Sequence, residues 1–122
     1  MHATATGQLA RVNGLELYYE IHGTGHPLLL LHGGLGAIEM FGPDLLRALS
    51  LSHRVIAVDL QGHGRTADID RPLSVECMAD DVAALLRHLR VGPADVVGYS
   101  MGGGVGLQLA TRNPELVDRL VV

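Results

Sequence analysis

The chain has 122 residues, 48% of them apolar, and a formal net charge of −4. That is enough apolar sequence for one small domain over residues 1–122 with a core of its own, and it excludes a disordered chain. The charge offers no basic stripe for nucleic acid and no polybasic patch for a membrane; all nine basic residues are arginine, which excludes a Schiff-base lysine or a Ser–Lys pair within the chain.

Taken in order, Met1 to Gly7 read as a frayed end. "MHATATGQLARVNG" has no apolar stretch of the kind a secretory leader needs, and the expected location is the cytoplasm. "QLARV" and "LELYYEI" flank Asn13-Gly14, a strong hairpin signal. "HGTGH" is a turn. "PLLLL", Pro27 to Leu31, is apolar throughout, as in a strand buried on both faces of a parallel sheet. It is also far too short to span a bilayer.

"HGGLG", His32 to Gly36, is a loop. Gly42 to Leu51 predict a helix with Pro43 in its first turn and Leu45, Leu46 and Leu49 as its apolar stripe. "RVIAVD", Arg54 to Asp59, is a second buried strand, followed by the loop "LQGHGRTADIDRP". Ser74 to Val91 predict a helix capped by Ser74, with Val75, Met78, Val82, Leu85, Leu86 and Leu89 inward. The lone cysteine, Cys77, reads as a small buried hydrophobe on that helix, and no internal disulfide can form. "ADVVG", Ala94 to Gly98, is a third buried strand. "MGGGVGLQLATRNP" opens a helix that ends near Pro114, and Leu120 to Val122 begin a fourth buried strand. Buried strands alternating with amphipathic helices define an α/β domain with a mostly parallel sheet flanked by helices.

Gly98-Tyr99-Ser100-Met101-Gly102 fits G-x-S-x-G, between a buried strand and a helix. A serine on so sharp a turn adopts strained backbone angles, and its neighbours two positions away crowd together, so only very small residues fit there. The hydroxyl then stands clear at the C-terminal edge of the sheet, above free N–H groups at the helix N-terminus. This makes Ser100 the candidate nucleophile. His32-Gly33-Gly34 follows the first buried strand, where a glycine loop can aim a backbone N–H at the same developing oxyanion. Met101 and Gly34 are the expected donors, with Leu35 as the alternative to Gly34. The expected role of His32 is to hold its loop by hydrogen bonds.

The trio "HGG", "DLQGHGRT" and "GYSMGG", in this order and spacing, resembles the α/β-hydrolase superfamily, in the manner of cofactor-free esterases, enol-lactonases and perhydrolases. The resemblance runs from about Gly7 to Val122. It implies strand order 1-2-4-3-5-6, Ser100 as nucleophile, Met101 and Gly34 as oxyanion donors, no cofactor, and a small ester or lactone as substrate. Ser at the elbow disfavours relatives with an Asp nucleophile, among them many epoxide hydrolases.

In such relatives the triad runs Ser, acid, His in chain order. After Ser100 this sequence has only Glu115 and Asp118 as carboxylates and no histidine; both carboxylates read as solvated surface charges. The later strands and the cap of the family are expected to be missing. Three accounts follow: the sequence is part of a longer enzyme; a second copy completes the site through the edge strand at Leu120 to Val122, as a homodimer or a non-catalytic association module; or an internal histidine is recruited as base. His63 and His32 are the recruits, and Asp59 is the candidate orienting acid for His63. The other histidines read as surface or turn residues, with no ligand set for a metal at His22 and His26. "GHGRTA" matches a dinucleotide pattern, but "DIDRP" after it is no helix, which argues against nucleotide binding.

Overall fold

The computed structural model describes residues 7–122. Residues 1–6 of the expected frayed end lie outside them, and Gly7 already belongs to the first strand. The sheet comprises β1 (Gly7–Val12), β2 (Leu15–His22), β3 (His26–Leu31), β4 (His53–Val58), β5 (Ala94–Gly98) and β6 (Val117–Val121). Its spatial order is β1-β2-β4-β3-β5-β6, the order implied by the resemblance. β1, β2 and β4 pair antiparallel, while β4, β3, β5 and β6 run parallel. Among the described residues three α-helices flank it: α1 (Gly42–Ser50), α2 (Val75–His88) and α3 (Met101–Arg112).

Local chemistry explains the elements. Asn13 and Gly14 both take positive φ, 52° and 79°, the two left-handed residues that a tight primed hairpin turn requires. β3 divides its leucines between two cores. Leu29 and Leu31 pack with Ile56, Val58 and Val96 against α2 and α3. Leu28 and Leu30 pack with Val55, Ala57 and Ile38, with Leu46 and Leu49 of α1 alongside. A strand covered on both faces is therefore continuously apolar. On α2, the Ser74 side chain accepts from the Cys77 N–H at 3.0 Å, which is an N-cap bond. Met78, Val82, Leu85 and Leu86 are buried as the periodicity predicts, while Val75 and Leu89 are only partly covered.

Three expectations need correction. Leu45 points to water, because α1 meets the sheet through Leu46 and Leu49. Cys77 is half-buried rather than buried. β6 begins at Val117, three residues before the expected start, and is not a strand buried on both faces: Val121 and Val122 are well exposed. It lies at the sheet edge beside β5 alone among the described strands. Val117 and Leu120 are partly covered, Leu120 lying against α3 at Gly106.

Candidate active site

β5 ends at Gly98, and the chain turns through Tyr99 and Ser100 into α3. Ser100 sits at φ 54°, ψ −113°, a sparsely populated conformation for a residue with a Cβ. The turn is held by Tyr99 N–H donating to the Leu31 carbonyl at 3.0 Å, and by Gly102 and Gly103 N–H donating to Tyr99 and Ser100 carbonyls at 2.9 Å each. A Cβ on Gly98 would overlap the Gly102 carbonyl, and one on Gly102 would overlap the Leu31 carbonyl. Both glycines of G-x-S-x-G are thus fixed by backbone that cannot retreat. Ser100 itself is exposed and makes no capping bond.

The loop after β3 arches over this turn. A Cβ on Gly33 would lie 3.4 Å from Ser100 Cβ, and one on Gly34 would lie 3.8 Å from Met101 Sδ. Neither the Gly34 nor the Met101 N–H is taken by a backbone acceptor among the described residues. Leu35, the alternative to Gly34, takes φ 63° and turns its side chain fully into solvent. Gly34 is the loop residue beside Met101.

His32 is completely buried. Its Nε2 accepts from Leu60 N–H at 3.0 Å, so Nδ1 carries the proton and donates to the Gly33 carbonyl at 2.7 Å. Burial holds its pKa below the ordinary histidine value. The idea of His32 as a recruited base is corrected: both ring nitrogens are spent on backbone, one of them on the loop that carries Gly34.

His63 is half-buried, its ring 5.0 Å from that of His32. Its Nδ1 bonds the Gln61 carbonyl at 2.8 Å. Asp59 does not orient it. The buried Asp59 carboxylate accepts from Ile38 N–H and Arg65 N–H, both at 2.9 Å, and pairs with the Arg65 guanidinium at 3.1 Å. Asp59 thereby ties the loop after β3 to the loop after β4. Arg65 extends the tie with a two-pronged bond to Glu39 at 2.7 and 3.0 Å and stacks 4.2 Å over Tyr18. Burial, with a hydrogen bond to Glu20, pushes the Tyr18 phenol up to about 12. Among the described residues no histidine is hydrogen-bonded to Ser100; His22, His26, His32, His53 and His63 have partners elsewhere.

Several features escape sequence reasoning because they join distant elements. Arg71 pairs with the buried Asp81 of α2 and donates from Nε to Gln61 at 2.8 Å. This anchors the far end of the 59–74 loop, which contains no helix. A cavity of about 110 Å³ beside the elbow is lined by Leu73, Ser74, Val75, Met78 and Met101. A larger hollow of about 400 Å³, lined by residues such as Asn13, Cys77 and Asn113, holds none of the candidate site residues. No helix among the described residues is long and apolar enough to cross a membrane.

Comparison with known proteins adds to this geometry. The sequence model of a family described as alpha/beta hydrolase fold matches residues 26–122. A protein of Azorhizobium caulinodans named "Putative carbamate hydrolase RutD" is 40% identical over 107 residues, covering 88% of this chain and 40% of that protein. Among solved structures, the epoxide hydrolase CorEH superposes with a TM-score of 0.91 at 34% identity, over 96% of this chain and 41% of the other. The enol-lactonase from Burkholderia xenovorans LB400 gives 0.86 at 33% identity, over 92% and 44%. The chain therefore spans about two fifths of the length of the relatives it matches.

Proposed function

The chain belongs to the α/β-hydrolase family, and from that premise we propose that it carries the nucleophile and oxyanion hole of a serine hydrolase acting on small esters or lactones. The observation that carries the reading is the backbone of Ser100. A non-glycine residue held at φ 54°, exposed, with a glycine two positions to either side, is strain of the kind that persists where surroundings enforce it for use.

In this reading Ser100 Oγ attacks the carbonyl carbon of the substrate as a base takes its proton. The carbonyl oxygen becomes an oxyanion, stabilised by the N–H groups of Met101 and Gly34 and by the N-terminal end of α3. Collapse of the tetrahedral species breaks the bond to the leaving oxygen, which takes back the proton held by the base and departs as the alcohol; water then hydrolyses acyl-Ser100, releasing the acid and restoring the Ser100 hydroxyl. In a lactone the expelled alcohol stays tethered to the acyl group.

The base is the unassigned member. His32 has no free nitrogen. His63 keeps Nε2 without a hydrogen-bond partner among the described residues and is the internal choice. The resemblance offers the other choice, a base and orienting acid that follow the nucleophile in the order Ser, acid, His. A His63→Ala variant separates the two: it keeps activity if the base lies elsewhere and loses it if His63 serves.

Substrate class rests on the relatives together with the elbow residue. One neighbour is named an enol-lactonase and another relative a carbamate hydrolase; both names describe attack at an acyl carbon, which suits a serine nucleophile. The cavity beside Met101 is apolar, about 110 Å³, and suits a short acyl group. A panel of short-chain esters, γ-lactones and carbamates, assayed with the full-length protein and its Ser100→Ala variant, tests the reading. Turnover lost in the variant supports it. Turnover that survives assigns the chemistry elsewhere.

A second reading rests on β6, whose Val121 and Val122 are exposed at the sheet edge. Such an edge is a template for strand pairing, and a second copy pairing there would make a homodimer. A monomer at high concentration in sedimentation would remove that reading.

A further inference from the structure

Ser100 stands at the C-terminal end of the parallel strands. At the opposite end, four polar side chains converge from four strands. His26 and His53 begin β3 and β4 and face one another in register. Asp95 sits next to Leu28 in register, on the face that His26 shares with Leu28. β6 slips between Ala94 and Val96 of β5, so that both Asp118 and Arg119 fall opposite Asp95. A bulge of this kind re-aims a side chain, and here Asp118 comes to His26. The sequence shows no carboxylate set around His26, because the carboxylates lie about 70 and 90 residues away and only the crossovers of the sheet bring them there.

From this convergence we propose that His26, Asp95 and Asp118 form a binding site for one divalent transition-metal ion of the Zn²⁺ type. His26 Nε2 lies 3.3 Å from Asp118 Oδ2 and 3.6 Å from Asp95 Oδ1, and one ligand atom from each residue falls within 4.8 Å of the others. Ligands bound at about 2.0–2.2 Å to a common Zn²⁺ stand roughly 3.0–3.6 Å apart. The side chains need only small rotations to take up the ion.

Burial supplies the second observation. Asp95 Oδ1 is buried and has no hydrogen-bond partner. A buried carboxylate oxygen without a donor is unfavourable, and this one faces the His26 nitrogen. No ion pair among the described residues brings an arginine to Asp95 or Asp118; their ionic neighbours are His26 and His53. His53 lies 3.8 Å from the other Asp95 oxygen, with its ring held by Ser52 at 2.9 Å. It is a positioning residue for Asp95. One imidazole and two carboxylates form a borderline donor set that favours Zn²⁺ over Ca²⁺ or Mg²⁺, with water filling the open positions. The ion would clamp β3, β5 and β6 together, roughly 15 Å down the strand from Ser100, as a strut rather than a participant in acyl transfer.

The test uses metal-stripped full-length protein titrated with Zn²⁺ in competition with a chromophoric chelator, with thermal melts run in parallel. The expected result is one Zn²⁺ per chain and a raised Tm. His26→Gln and Asp118→Asn, both at half-exposed positions, should each weaken binding at least tenfold and abolish the Tm rise. His22→Gln should bind as the parent does. Equal Zn²⁺ binding in parent, His26→Gln and Asp118→Asn would overturn the site, as would absence of binding by a parent protein shown by circular dichroism to be folded.

Discussion

Gly34 and Met101 meet across the top of the sheet: a Cβ on Gly34 would stand 3.8 Å from Met101 Sδ and 4.0 Å from its Cβ. Gly34 belongs to the loop after β3 and Met101 opens α3, and neither N–H is taken by a backbone acceptor among the described residues. Gly34→Ala adds a methyl at ordinary contact distance and keeps the donor, so turnover should stay within a few-fold of the parent. Gly34→Pro removes the N–H. Loss of one oxyanion donor costs about 10²–10³ in rate, and Gly34→Pro should fall by that factor in kcat. Equal rates for the two variants would show that this N–H does not serve.

The strain at Ser100 is measurable as stability. Ala at position 100 keeps a Cβ at φ 54°; Gly does not. Relief of strain worth about 1–3 kcal/mol outweighs the roughly 0.5–1 kcal/mol that glycine loses in chain entropy. Ser100→Gly should be more stable than Ser100→Ala by about 1 kcal/mol in urea unfolding. A less stable Ser100→Gly would mean that the turn holds no strain.

The loop from Asp59 to Ser74 depends on its far anchor. Asp81 is 1% exposed and pairs with Arg71, with Asn13 as its second donor at 3.1 Å. Removing one member of a buried pair costs about 3–5 kcal/mol. Arg71 is itself 21% exposed and Asn13 remains, so Arg71→Met should cost near the low end of that range. Denaturant unfolding checks it; a loss below about 1 kcal/mol would place the pair among surface ion pairs.

His32 gives the fold a pH dependence with a definite sign. Burial lowers its folded pKa below the ordinary 6.5, so the unfolded chain binds the proton more readily. The stability from neutral His32 is complete above the unfolded value and is lost as pH falls below it toward the folded pKa. His32→Gln should be less stable at pH 7.5, having lost a bond to Leu60 or Gly33, and its stability should fall less steeply between pH 6.5 and 5. Parallel curves for the two proteins would remove His32 as the titrating group.

Much of this architecture is legible in the sequence because it is local. The apolar run of β3, the Ser74 cap and the positive-φ turn at Asn13-Gly14 each depend on residues within a few positions. The strand order is implied by the resemblance alone, since no local pattern states that β3 lies between β4 and β5. Position 117 was not legible as strand: Asp118 and Arg119 break the apolar run at a bulge, and an edge strand tolerates that polarity. His63 illustrates the other limit. Asp59 four residues before it looks like an orienting acid, but buried backbone N–H groups at Ile38 and Arg65 claim the carboxylate first. Spacing along a loop does not reveal which donors arrive from another.

An activated Ser100 hydroxyl reacts with an electrophilic phosphorus centre. The direct measurement is intact mass of the full-length protein before and after a fluorophosphonate probe, with Ser100→Ala alongside. The expected result is one adduct per chain on the parent, mapped to Ser100 by peptide sequencing, and none on the variant. A folded parent that takes no adduct, or an adduct that persists in Ser100→Ala, would contradict it.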